Sequence, residues 1–348
     1  MKLLVVTQAV DREDPNLGAF YYWFEALSRK ADSLTILANR QRADGLPRAE
    51  IHCFGCGRGR GGRLGRLWKF WELFAEHFAR ADAVLFHQIP EFVIAASPFL
   101  IGRRKIAGLW YAHGAVSRRL RFAERRVDYV FTSSPDGFRV PSKKTIVLGQ
   151  AINTDLFSPH STFHIPHSNS VLRLLTIGRI SPVKHYETII NACAILKNGW
   201  DRPWSFSIVG GPLRPGDHEY LERLKTLIAE KGLSAYVHFQ GERPYSEIVE
   251  ILRTHDLFLN ASKTGSLDKV VLEAMACGLS VLTSNEAYRP ILPPAYFLEH
   301  ASPDSLAGRI KALADEPRPN TTLREIVLRD HALAGTIDKL FDALSQPV

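Results

Sequence analysis

The chain has 348 residues, of which 45% are hydrophobic, and it carries a formal net charge of +8 at neutral pH. This length exceeds what one hydrophobic core usually serves, so we expect two domains. The longest apolar runs, such as 92–101, are shorter than the roughly 20 residues that a membrane span needs, and the first ten residues lack the layout of a signal peptide. The composition therefore predicts a globular cytoplasmic protein.

Short apolar runs alternate with helix-like segments along the first half of the chain. Strands are predicted at 3–7, 33–38, 83–87, 106–111, 129–132 and 145–148. Continuous apolar runs of this length are typical of strands that are buried on both faces of a parallel sheet covered by helices. The first half is therefore predicted to be an α/β domain.

The same pattern repeats in the second half, after a stretch rich in Ser, His, Pro and Asn. Strands are predicted at 172–177, 205–209, 237–240, 256–260 and 280–283, and a terminal helix at 326–344. The predicted fold class is α/β, with two doubly wound Rossmann-like domains. The predicted boundaries are 1–157 for the first domain, 158–170 for a linker, 171–320 for the second domain and 321–348 for a helical segment.

The four cysteines indicate no metal centre. Cys193 and Cys277 lie in apolar helical contexts and are expected to be free core residues. Cys53 and Cys56 form a single CxxC pair without a second pair, which favours a plain structural role over metal or redox use. No metal ligand is predicted anywhere in the chain.

The positive charge suggests an anionic partner, which could be nucleic acid, an anionic lipid surface or a phosphorylated small molecule. Within 58–74, five basic residues precede and enter a run of Trp, Phe and Leu: Arg58, Arg60, Arg63, Arg66 and Lys69. This pattern fits either an interfacial membrane contact or a loop followed by a core helix. No recognised nucleic-acid module is present, so we predict no nucleic-acid partner.

Ligands of parallel sheets bind outside the carboxyl ends of the strands, so the residues that follow each strand indicate the site. In the second half these residues are small or cationic. In the segment 178–184, Ser181 can cap a helix with Pro182 in its first turn, and Arg179 and Lys184 could bracket an anion at the free amides. The alternative is a helix start with two solvated cations.

A second segment, 264–278, is predicted to start a helix near Asp268 or Lys269. Glu273 lies in its second turn with apolar neighbours on every side, so its carboxylate is predicted to be buried. A buried carboxylate needs hydrogen-bond donors, and the two hydroxyls of a ribose beside a diphosphate would supply them. The alternative is pairing with a buried arginine or with backbone amides.

Two features of the first half also follow predicted strands, and so lie at the carboxyl edge of its sheet. His113 follows the strand predicted at 106–111, where it could be either catalytic or structural. The loop 9–18 follows the first strand, carries three acids and ends at Gly18, before an aromatic helix.

Together, three motifs resemble the family 4 retaining glycosyltransferases of the GT-B fold. They are the run 178–184 (Gly-Arg-Ile-Ser-Pro-Val-Lys), the strand end 209–211 (Val-Gly-Gly) and the run 272–278 (Leu-Glu-Ala-Met-Ala-Cys-Gly). The resemblance implies two domains that face a cleft, a C-terminal helix that returns to the first domain, and transfer from a nucleotide diphosphate sugar with retention. A UDP-sugar is favoured over a GDP-sugar, and no metal is required if cations and helix starts stabilise the leaving diphosphate. The basic, Trp-rich segment 58–74 suggests a carbohydrate or lipid-linked acceptor and a peripheral location on the inner face of the cell membrane.

The resemblance also assigns roles to residues. Arg179 and Lys184 would bind the donor diphosphate, Glu273 the ribose, and His113 the donor sugar. The predicted donor-binding set is completed by glycines and loop residues that follow the strands: Gly18, Gly178, Gly210, Gly241, Glu242, Arg243, Gly265, Ser266, Leu267 and Asp268.

The chain departs from this family at one acid. The family has a glutamate eight positions before Glu273, where this chain has Gly265, and the usual Gly-Phe-Gly is Ser266-Leu267-Asp268. Either Asp268 or a main-chain contact replaces that acid, or the sugar is handled differently. The alternative function is a non-catalytic protein that binds a nucleotide or nucleotide sugar on the same scaffold.

Overall fold

The computed structural model describes residues 1–42, 45–56, 62–102, 104–159, 170–263 and 265–346. The chain forms two compact units, Met1–Ala151 with Ala332–Val348, and Ile152–His331. The predicted boundaries were 157 and 321, and most of the predicted linker lies outside the described residues. Ala151 is the last residue of the first segment, and its carbonyl accepts a hydrogen bond from the Trp23 indole of the same unit at 3.1 Å.

Within the described ranges the chain forms twelve strands and eleven α-helices. The strands are β1 (Lys2–Val10), β2 (Ser33–Gln41), β3 (Ala49–Cys53), β4 (Ala83–His87), β5 (Ile106–Trp110), β6 (Tyr129–Thr132), β7 (Thr145–Val147), β8 (Leu172–Ile177), β9 (Trp204–Val209), β10 (Val237–Gly241), β11 (Leu257–Asn260) and β12 (Ser280–Thr283). The helices are α1 (Ala19–Lys30), α2 (Gly62–Arg80), α3 (Pro90–Leu100), α4 (Arg118–Glu124), α5 (Tyr186–Gly199), α6 (Pro215–Glu230), α7 (Ile248–Arg253), α8 (Lys269–Ala276), α9 (Pro303–Leu313), α10 (Thr321–Asp330) and α11 (Leu333–Ser345).

The first unit is built on a parallel sheet in the order β3-β2-β1-β4-β5-β6-β7. Successive side chains of β1 enter opposite cores: Leu4 and Val6 pack with the aromatic face of α2, whereas Leu3 and Val5 pack with α1 and α11. All six predicted strands are confirmed. The additional strand, β3, lies at the sheet edge and is only partly buried, so it has no continuous apolar run to reveal it.

The second unit has a parallel five-stranded sheet in the order β10-β9-β8-β11-β12, with all five predicted strands confirmed. In both units the strand order reverses at the first strand of the sheet, as in doubly wound folds, so the predicted fold class is confirmed. The free cysteines Cys193 and Cys277 are both buried, as expected, and Cys53 is joined to Cys56 by a disulfide.

The predicted single terminal helix at 326–344 is wrong, because the chain breaks at His331 and Ala332 into α10 and α11. α10 packs against α8 in the second unit, whereas α11 packs against α1 and β5 in the first. Each helix therefore buries its apolar face against a different unit, and a continuous helix could not serve both.

The basic and aromatic segment predicted at 58–74 is described from Gly62 onward, at the start of α2; Arg58 and Arg60 lie outside the described residues. Phe70 and Phe74 are core residues, while Leu64 and Trp68 are 79% and 72% exposed. Among the described residues, no helix is long and apolar enough to cross a membrane.

Candidate functional site

Three glycines terminate neighbouring strands of the second unit: Gly178 after β8, Gly210 after β9 and Gly241 in β10. Their φ angles are +155°, +135° and +73°, in the region that side chains disfavour. The amide of Gly210 donates to the carbonyl of Gly241 at 2.8 Å. A Cβ atom on Gly210 would overlap the carbonyl oxygen of Gly178. The sheet edge therefore presents bare backbone to whatever lies above it.

The first predicted cation, Arg179, is exposed at this edge. The backbone below it is held by the Tyr186 hydroxyl, which donates to the carbonyls of Gly178 and Arg179 at 3.1 and 3.3 Å. Burial raises the pKa of this tyrosine, so it remains a neutral donor.

The helix after β8 starts later than predicted. The predicted cap, Ser181, instead begins a short 3₁₀ turn, Pro182–Lys184, and makes no side-chain cap. α5 begins at Tyr186, after His185 adopts a left-handed conformation with φ of +49°. The prediction is wrong because the left-handed residue interrupts the turn, and the buried hydroxyl of Ser181 has no hydrogen-bond partner within the described ranges.

Lys184 and Asp268 bring the two sequence segments together. Lys184 Nζ lies 2.8 Å from Asp268 Oδ1, and the two side chains are only 14% and 13% exposed. Asp268 is the N-cap of α8, and its other carboxylate oxygen accepts from Asn260 Nδ2 at 3.0 Å. Asp268 therefore balances the charge of Lys184. It is also the acid closest in sequence to Gly265, where the family has a glutamate.

Polar side chains at the ends of β11 and β12 hold the loop before α8, and sequence reasoning missed them. Thr283 donates to Asn260 Oδ1 at 3.0 Å, and Asn285 Nδ2 donates to the carbonyl of Ser266 at 2.9 Å. Tyr288 donates to the carbonyl of Asp268 at 2.6 Å. Their position at the carboxyl edge of the sheet was the available signal.

Gly265, Ser266 and Leu267 form the loop itself. Gly265 is buried with φ of +64°, and Leu267 is buried as well. A glutamate at 265 would therefore adopt a strained backbone, so the loop is shaped differently from one that presents an acid there.

Glu273 is 97% buried in the second turn of α8, as predicted. Its Oε1 accepts a hydrogen bond from the Tyr245 hydroxyl at 2.6 Å. Burial raises the pKa of Glu273, and the charge of Lys269 together with the bond from Tyr245 opposes that rise. Burial also lowers the pKa of Lys269 to about 8, opposed by the charge of Glu273.

From the sequence, the hydrogen-bond donors to Glu273 were expected to be a ribose, an arginine or backbone amides. The structure shows that the Tyr245 hydroxyl is one donor. It lies in a 3₁₀ turn after β10, 28 residues before Glu273. A carboxylate can accept up to about four hydrogen bonds, so the bond from Tyr245 leaves capacity for hydroxyl donors of a ligand. Glu242 and Arg243, just before this turn, are exposed, and Arg243 lies 3.6 Å from Glu247.

The remaining predicted residues, His113 and Gly18, belong to the first unit. His113 is exposed after β5, and its Nε2 lies 2.9 Å from Gln88 Oε1. Gln88 follows β4 with φ of +67°, an uncommon conformation for a residue other than glycine. Gly18 is the N-cap of α1 with φ of −57°, and its amide donates to the carbonyl of Asp14 at 2.8 Å.

Comparison with known proteins shows which family and which solved structures this chain is similar to. Residues 163–326 match the family described as Glycosyl transferases group 1. The structure of Anabaena HepE in complex with UDP and glucose aligns over 99% of this chain and all of that chain, with a TM-score of 0.76 and 16% identity. The chain therefore has the GT-B fold, with two parallel-sheet Rossmann-like units.

Two curated relatives match parts of the chain. A D-inositol 3-phosphate glycosyltransferase from Corynebacterium jeikeium is 34% identical over 116 residues, which cover 33% of this chain and 27% of the relative. The amylovoran biosynthesis glycosyltransferase AmsK from Erwinia amylovora is 31% identical over 223 residues, 58% of this chain and 52% of the relative. The chain thus spans about half, or less, of these relatives. The predicted resemblance to group 1 glycosyltransferases is confirmed, and the family match falls within the sequence range of the second unit.

Proposed function

We propose that the protein is a glycosyltransferase that moves a sugar from a UDP-sugar to a hydroxyl acceptor with retention of configuration. The observation that carries the proposal is the buried Glu273, held by Tyr245 beside a glycine-lined sheet edge and the Lys184–Asp268 pair. The group 1 match over 163–326 supports the same activity. That HepE was solved with UDP supports the choice of base.

The donor diphosphate would bind to Arg179, Lys184 and the backbone at Gly178 and Gly210. Two cations stabilise the negative charge that develops on the leaving diphosphate, and glycines without side chains let it approach the backbone closely, so the reaction requires no metal ion in this proposal. Glu273 would accept hydrogen bonds from the ribose, and the loop Gly241, Glu242, Arg243 would face the base. Lys184 would exchange part of its interaction with Asp268 for the phosphate.

The sugar contacts follow from the resemblance. His113 would contact the donor sugar, with Gln88 orienting its ring through the Nε2 contact. Asp268 and the main chain of 265–267 would take the place of the missing glutamate. Gly18 would line the acceptor or phosphate side of the first unit.

The acceptor is proposed to be a lipid-linked or envelope carbohydrate at an anionic membrane surface. The start of α2 supports this, because Leu64 and Trp68 are exposed one turn apart and the nearby Arg63, Arg66 and Lys69 are exposed too. Amylovoran biosynthesis by the Erwinia relative fits an envelope role. Leu64→Ser with Trp68→Ser should abolish binding to anionic vesicles, and unchanged binding would exclude this surface.

The donor proposal is tested by thermal unfolding of wild type and Glu273→Gln with UDP, GDP and ADP. At 100 times its dissociation constant a ligand adds about 2.7 kcal/mol of stability. We expect UDP alone to raise the Tm of the wild type by several degrees and the rise to vanish in Glu273→Gln. Glu230→Gln, an exposed acid at the end of α6, is the matched control and should behave as wild type.

A turnover assay distinguishes a transferase from a non-catalytic binding protein with the same fold. Release of UDP from a UDP-sugar, with an α-linked product from an α-linked donor, supports a retaining transferase. Tight UDP binding without release of UDP from any UDP-sugar and acceptor supports the binding protein. No response to any nucleotide would overturn the donor site itself.

A further inference from the structure

A cluster of two histidines and one carboxylate lies in the first unit, away from every residue assigned to the donor site. Glu50 and His52 come from β3 and His77 from α2, and one potential ligand atom of each lies within 4.8 Å of the others. His52 Nε2 is 2.8 Å from Glu50 Oε1. The imidazole rings of His52 and His77 have centroids 4.2 Å apart.

The fold builds this cluster from strand alternation. β3 is the edge strand, and its Ile51 packs into the core shared by α1 and α11. The side chains of Glu50 and His52 therefore lie on the opposite face, the one that α2 covers. His77 reaches the same place from the last turn of α2, 25 residues further along the chain from His52.

His77 is the unusual member, since its side chain is 95% buried and its Nε2 has no hydrogen-bond partner in the described part of the chain. A buried ring nitrogen without a partner loses its interaction with water and gains nothing in return. Nearly all buried polar atoms in proteins are satisfied, so an exception in a ring that packs against a second imidazole beside a carboxylate calls for a ligand.

We propose that Glu50, His52 and His77 form a binding site for a divalent transition-metal ion, zinc in the first place. Two imidazoles and a carboxylate are the protein ligands of open zinc sites, in which water takes the fourth position. Magnesium and calcium ions prefer oxygen ligands, so a site with two imidazoles does not suit them.

The surroundings leave room for that fourth ligand. A cavity of about 550 Å³ is lined by Glu50 and His77 together with Lys2, Arg48 and Arg80. Asp32 also lines this cavity, so its cations are partly balanced, and water can reach the ion from it. Cys53, the last residue of β3, is joined to Cys56, and neither cysteine takes part in the proposed site.

The ion would tie the edge strand β3 to α2. Because β3 has a partner strand on one side only, a link to the helix stabilises the edge of the sheet. The site is independent of the proposed sugar transfer, which uses residues of other elements. Its presence would make the stability of the first unit depend on metal.

The test is titration of the chelator-stripped full chain with Zn²⁺ by calorimetry and with Co²⁺ by visible absorption. We expect one ion per chain, a tetrahedral cobalt spectrum and a Tm that rises by several degrees with zinc. His52→Ala is the main variant, because its side chain is 29% exposed and its loss should spare the fold. Losing this ligand should weaken binding by more than the roughly 10–100-fold that loss of an outer-shell partner costs, and Glu50→Gln should weaken it too.

Two controls separate this site from other zinc binding. His218→Ala removes an exposed histidine of the second unit and should leave the affinity unchanged. The double variant C53S/C56S should also keep the ion. Absence of binding to the wild type, affinity that His52→Ala leaves unchanged, or binding that is lost with the cysteines would each overturn the proposal.

Discussion

Lys184 Nζ and Asp268 Oδ1 lie 2.8 Å apart across two segments that are 84 residues distant in sequence. Asn260 donates to the second oxygen of the same carboxylate, so the acid is held from two sides. This pair joins the turn after β8 to the start of α8. The mouth of the candidate donor site is therefore pre-organised by the protein itself.

Replacing Asp268 should reveal the strength of this pair. We expect Asp268→Asn to lower the free energy of unfolding by about 3 kcal/mol, because it leaves the mostly buried charge of Lys184 without its partner. Urea unfolding measures the difference. Asp201→Asn, at an exposed position of the same unit, should change stability little, and equal stability of the two variants would show that the pair contributes nothing.

Tyr245→Phe removes the hydroxyl that donates to Glu273. The carboxylate loses a 2.6 Å bond in a buried position, so the free energy of unfolding should fall by roughly 1–3 kcal/mol. Tyr236→Phe is the control, because its ring stacks on Trp204 and phenylalanine keeps that contact. A loss as large in Tyr236→Phe would mean that the effect is not specific to Glu273.

The pH dependence of stability should report Glu273 directly. Its pKa is raised in the folded state above the ordinary value of 4.5, so above pH 4.5 the folded protein holds a proton that the unfolded chain has released. Stability from this group therefore falls as pH rises from about 4.5 through the folded-state pKa.

Glu273→Gln lacks this titration. Relative to the variant, the wild type should lose stability with increasing pH across that window, as measured by urea unfolding at intervals from pH 4 upward. Parallel curves for the two proteins would contradict a buried, pKa-shifted Glu273. Glu230→Gln should follow the wild type, since Glu230 is exposed.

Adjacent glycines after β9 offer a test of the close backbone approach. Gly210→Ala should cost more than about 3 kcal/mol of stability, because its Cβ overlaps the carbonyl oxygen of Gly178 and φ is +135°. For Gly211→Ala the new Cβ would lie 3.5 Å from Glu242 Cβ, an ordinary contact, so little change is expected. Similar Tm values for both variants would rule out the overlap.

The sequence predicted the strands well, because a continuous apolar run is a signal carried by neighbouring residues. Continuous apolar runs revealed eleven of the twelve strands found in the described residues, and only β3, a half-exposed edge strand, lacked such a run. The start of α8 at Lys269 and the burial of Glu273 also followed from apolar neighbours on every side. Ser181 was predicted wrongly, because the left-handed turn at His185 leaves no mark in residue type.

The sequence by itself determined two parallel sheets, the edge where polar and glycine residues gather, and an acid that must be buried. Tertiary structure alone decided which side chains meet there. Tyr245 reaches Glu273, Lys184 reaches Asp268, and His77 reaches His52, because crossover connections and helix packing bring together residues that lie 25 or more positions apart. Hydrophobic periodicity reports whether a residue is buried, but the partner of a buried charge depends on how the elements pack.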